Sequence, residues 1–82
     1  MYYRMKINTI PNALKFTQIC SHFPDVDVGI QQGKYYINGK SILALLSLDL
    51  TKTMLIDIEP DSKEFLNKIK KFLYWFFKKF LL

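Results

Sequence analysis

Three observations predict an α+β fold: an open-faced β-sandwich of order βαββαβα, with a four-stranded antiparallel sheet and three helices on one face. Tyr3 to Ile7, Val26 to Ile30 and Met54 to Ile58 alternate apolar and polar residues with the two-residue period of a half-buried strand, and Tyr35 to Ile37 completes a hairpin. Between and after these lie three stretches with helical apolar spacing. Runs of strand and helix in this order place the helices together against an antiparallel sheet.

Each element has a local cause. Tyr3, Met5 and Ile7 alternate with Arg4 and Lys6, so one face of the first strand meets a core. A first helix is expected from about Pro11 to His22, with Thr9 or Ile10 near its cap and Pro11 in its first turn, where the missing amide costs nothing. Its buried side should be Ala13, Phe16, Ile19, Cys20 and Phe23, and Pro24 stops it. Gln32-Gly33 turns the chain between the two strands of the hairpin. Gly39 and the N-cap residue Ser41 open a short amphipathic helix with Ile42, Leu45, Leu46 and Leu48. After the fourth strand, Asp61 with Glu64 three residues later forms a capping-box-like start for the last helix.

Eighty-two residues suit a single domain, near the size where one core is just sufficient, and half of them are apolar. The single cysteine, Cys20, excludes an internal disulfide, and it has no Cys or His partners spaced for zinc, so neither metal nor cofactor is expected. A cytoplasmic setting fits, and no apolar run approaches the roughly 18 residues needed to cross a bilayer. The net charge of +5 is uneven. Residues 1–62 hold six basic and six acidic side chains, whereas Lys63, Lys68, Lys70, Lys71, Lys78 and Lys79 face Glu64 alone in the rest. Such a run is ordinarily a solvated helix face, and a nucleic-acid partner is not expected.

The run Lys40-Ser41-Ile42-Leu43-Ala44-Leu45-Leu46-Ser47-Leu48 directly after a hairpin resembles the serine loop and second helix of the histidine-containing phosphocarrier (HPr) family of the bacterial sugar phosphotransferase system. The resemblance extends over residues 4–73, with Ala13, Phe16 and Phe23 before the hairpin and an acidic helix start near Asp61 at similar spacings. It implies the family's open-faced sandwich, a single domain over 1–82, and protein partners of the phosphotransferase system. It also implies that Ile42, Leu43 and Leu46 form a docking patch and that Ser41 is a regulatory phosphorylation position, although Ile42 and Leu46 would serve equally as core. A phosphate at Ser41 would meet the positive end of the helix dipole and the neighbouring Lys40.

The front of the chain departs from the family. There a Gly-(Leu/Ile)-His-(Ala/Thr)-Arg-Pro-Ala run opens the first helix, and its histidine carries phosphate. Aligned through Phe16, Thr9 stands at the histidine position and Pro11 at the arginine position; sliding by one residue puts Asn8 and Ile10 there instead. Neither side chain supplies the imidazole nitrogen that a labile phosphoramidate requires. The sole histidine, His22, lies thirteen residues beyond Thr9, roughly 20 Å along a helix.

The sequence thus points to a non-enzymatic binding or regulatory protein of HPr type that is not competent for histidine phosphotransfer. Two alternatives remain open: a phosphocarrier-related protein regulated at Ser41, or an adaptor that uses its C-terminal helix. That helix is expected over about 61–82, its run from Ser62 to Leu82 roughly 31 Å long, with Phe65, Leu66, Ile69, Phe72, Leu73, Phe76, Phe77 and Phe80 in one apolar stripe. Tyr74, Trp75, Phe77, Phe80 and Leu81 would overhang the sheet and serve homo-oligomerisation or peripheral contact with an anionic membrane.

Overall fold

The computed structural model describes residues 2–73, which run β1 (Tyr2–Met5), α1 (Ile10–Cys20), β2 (Asp27–Gln32), β3 (Tyr35–Asn38), α2 (Ile42–Leu46), β4 (Met54–Glu59) and α3 (Lys63–Ile69), followed by a 3-10 turn at Lys70–Phe72. All neighbouring strands are antiparallel, in the order β1-β4-β2-β3. Tyr3 pairs with Ile56, Ile56 with Ile30, and Ile30 with Ile37, so one row of side chains crosses all four strands on the helix-bearing face. The parallel row Tyr2, Asp57, Gly29 and Asn38 lies on the opposite, open face. The expected α+β sandwich is the observed one.

The alternation of apolar residues translates directly into burial. Met5, Val28, Ile30, Met54, Ile56 and Ile58 leave the sheet to meet Ala13, Phe16 and Cys20 of α1, Leu45 of α2, and Phe65 and Ile69 of α3. Burying each large side chain contributes about 1.5–3 kcal/mol. Ile7 is also fully buried but sits in the loop after β1, since the strand ends at Met5. Gly33 turns the β2–β3 hairpin at φ 59°, a conformation that costs glycine little. Gly39 is needed for space: a Cβ there would lie 2.6 Å from a methyl of Val28.

The last helix differs from expectation at both ends. Ser62, not Asp61, is its cap, and the Ser62 hydroxyl accepts a hydrogen bond from the Phe65 amide at 3.1 Å. The stripe of Phe65, Ile69 and Phe72 is buried as expected, with Leu66 and Leu73 half-buried beside it. Within the described residues the α-helix stops at Ile69, however. It tightens into the 3-10 turn, which sets Phe72 edge-on against Phe16 with ring centres 5.6 Å apart, and Leu73 is extended at φ −86°, ψ 158°. Leu73 then bridges Met5 antiparallel, and the Lys6 amide donates to the Phe72 carbonyl at 2.9 Å. Packing against α1 and capture by β1 together override the helical period. The association residues Tyr74, Trp75, Phe77, Phe80 and Leu81 lie outside the described residues.

Candidate functional site

The segment entering α1 is held by backbone-directed bonds from three short residues. Asn8 takes a left-handed conformation, φ 76°, which asparagine tolerates better than most side chains, and its amide donates to the Leu50 carbonyl at 2.7 Å. Thr9 is the N-cap of α1: its hydroxyl accepts from the Asn12 amide at 3.2 Å. The Asn12 side-chain amide donates back to the Ile7 carbonyl at 2.9 Å. Pro11 lies in the first turn, where a helix has no use for its missing donor. The Asn8–Leu50 bond ties the start of α1 to the chain beyond α2, and the two helices pack together.

On α2, the Ser41 hydroxyl accepts from the Ala44 amide at 3.2 Å, so Ser41 is the cap the sequence implies. Leu45 is fully buried beneath the helix, whereas Leu43 is 81% exposed and Leu46 39% exposed. Ile42 is half-buried and packs on the core. Of the three residues singled out for docking, Leu43 and Leu46 are therefore on the surface, and Ile42 is shared between surface and core.

Two further large apolar residues, on the neighbouring helix α1, are exposed and were missed by sequence reasoning. Ile10 and Leu14, one turn apart on α1, are 57% and 54% exposed. At 100° per residue they lie about 90–130° round the helix from the buried set Ala13, Phe16 and Cys20. That excess of apolar residues over one stripe was the available signal. The neighbouring helices α1 and α2 thus expose four large apolar side chains, and neither residues 7–14 nor residues 41–47 contain an ionisable group.

The other candidates sit elsewhere. The Lys40 ammonium donates to the Phe23 carbonyl at 2.7 Å, closing the end of the α1 segment. His22 is exposed just beyond the C-terminal end of α1, in a shallow depression with Phe23, Asp25, Glu64 and Lys68. Cys20 is fully buried, and burial pushes its thiol up to about 12, which leaves it a core residue and not a nucleophile. Among the described residues no three His, Cys, Asp or Glu side chains are grouped to hold a metal ion, and no helix is long and apolar enough to cross a membrane.

A family model described as the phosphotransferase-system HPr component phosphorylation site matches residues 11–74. The match begins just after Thr9 and takes in every element from α1 to the 3-10 turn. No curated protein matches the chain. With 64 of 82 residues inside the family model, a sheet of order β1-β4-β2-β3 and a short helix capped by Ser41, this chain belongs to the HPr family of the phosphotransferase system.

Proposed function

We propose that the protein is an HPr-family binding module that docks on phosphotransferase-system proteins through α1 and α2 without carrying phosphate on histidine. The observation that carries this reading is the Thr9 cap. With the chain aligned to the family pattern through Phe16, the histidine position falls on Thr9, whose hydroxyl is already engaged with the Asn12 amide, and no histidine or arginine lies between residues 7 and 14. A threonine ester of phosphate lacks the imidazolium leaving group that makes onward transfer rapid. The docking residues in this reading are Leu43, Leu46 and part of Ile42 on α2, joined by Ile10 and Leu14 on α1. Ser41 is the regulatory position: a phosphoryl group there would place charge at the edge of an otherwise uncharged face.

Incubation with phosphoenolpyruvate and the first enzyme of the source cell's phosphotransferase chain tests the reading. The intact mass should stay unchanged while the protein still binds that enzyme. An acid-labile gain of one phosphoryl group, on His22 or elsewhere, would overturn it.

A further inference from the structure

The excess positive charge of the chain has a definite place in the fold. At 100° per residue Lys63, Asn67 and Lys70 fall within about 60° of one another along α3, on the side away from the buried Phe65 and Ile69. All three are exposed, as is Lys71 in the turn that follows, whose ammonium lies 5.4 Å from the centre of the Phe72 ring. Glu64, the one carboxylate of the helix, is about 100° round from Lys63 and lines the depression beside His22 together with Lys68, so it does not neutralise this basic crest. None of the large exposed apolar side chains among the described residues belongs to α3. The crest is therefore a different surface from the uncharged, apolar face of α1 and α2.

We propose that the basic crest of α3 is a docking surface for an anionic lipid bilayer. Charge complementarity selects the partner. A convex row of lysines with no exposed apolar anchor lacks the buried hot spot on which a protein interface depends. Its cations are all lysines, point charges that suit a diffuse anionic surface; the planar fork that grips phosphates and base edges belongs to arginine, and the one arginine of the chain, Arg4, is on β1. A leaflet containing acidic lipids improves binding about fivefold for each lysine near its surface, so Lys63, Lys70 and Lys71 act together. By composition alone the sequence after Leu73 adds to the same chemistry: its nine residues include five aromatic residues, two lysines and two leucines, and no carboxylate, a mixture favoured at headgroup depth.

Sedimentation of the whole chain with lipid vesicles tests the proposal. The protein should pellet with mixed phosphatidylcholine and phosphatidylserine vesicles, stay in solution with phosphatidylcholine alone, and be released by salt. Lys63→Gln combined with Lys70→Gln should weaken partitioning about 25-fold, fivefold for each lysine, at an unchanged melting temperature. Lys34→Gln combined with Lys52→Gln lowers the net charge equally, but from the hairpin turn and the loop before β4, and should change partitioning less than about twofold. If the α3 pair lowers the melting temperature, Asn67→Glu, which sets an opposing charge on the same crest, repeats the comparison. Failure to pellet with the anionic vesicles overturns the proposal, as does a loss at Lys63 and Lys70 no greater than at Lys34 and Lys52. Equal pelleting with neutral vesicles overturns it too, and so does retention by single-stranded nucleic acid at protein concentrations that leave the vesicles bare.

Discussion

Replacing Leu43 by glutamate separates binding from folding on a helix of only five residues. Leu43 is 81% exposed, so the fold loses little when it changes, within about 0.5 kcal/mol as for an ordinary surface site. The neighbouring Leu45 is fully buried, and Leu45→Ala should cost about 2–5 kcal/mol through lost burial and the cavity left behind. For binding the order reverses. Nearly all of the Leu43 side chain is available to a partner, and burying a leucine is worth about 1.5–3 kcal/mol, so a charge in its place should weaken docking by about 2 kcal/mol or more, roughly thirtyfold in Kd. Titration calorimetry against the first phosphotransferase enzyme, paired with thermal unfolding followed by circular dichroism, reads both effects. If Leu43→Glu lowers the melting temperature as far as Leu45→Ala, or leaves the affinity where it was, the α2 face is not the docking surface.

Gly39→Ala should destabilise by about 1–3 kcal/mol, because the added methyl meets Val28 and Ile30 in the core, and a companion Val28→Ala should relieve part of that loss in urea denaturation. Cys20 should resist thiol reagents at pH 8 until the protein unfolds. Its raised value also fixes a sign: the unfolded thiol ionises near 9 and the folded one only near 12, so stability intact below pH 9 should decline as pH rises toward 12, and Cys20→Ala should lack that decline.

Much of the fold was legible because alternation and capping are local. The Met54, Ile56, Ile58 pattern needs no partner to announce its inward face, and Ser41 announces a helix start by its hydroxyl alone. The start of α3 was placed one residue early: Asp61 is a good cap by type, but Ser62 is the one whose hydroxyl reaches the Phe65 amide. The break at Leu73 was not legible, since a helical stripe and a strand pairing to Met5 compete for one residue and the contact is 68 positions away in the chain. Of the site, α2 was readable because the Lys40 to Leu48 run carries the family pattern. Ile10 and Leu14 fell outside the buried side named for α1 and drew no notice, because single exposed apolar residues are ordinary on a helix surface. The bond from the Lys40 ammonium to Phe23 was not legible either, as it reaches back seventeen residues.

The absence of ionisable groups from residues 7–14 and 41–47 makes the α1–α2 face titration-silent. A partner would meet the same charge there at any pH near neutrality as long as Ser41 carries no phosphoryl group. Occupancy of that partner would then change with the amount of protein made or with a phosphoryl group placed on Ser41, and not with protonation of the face itself.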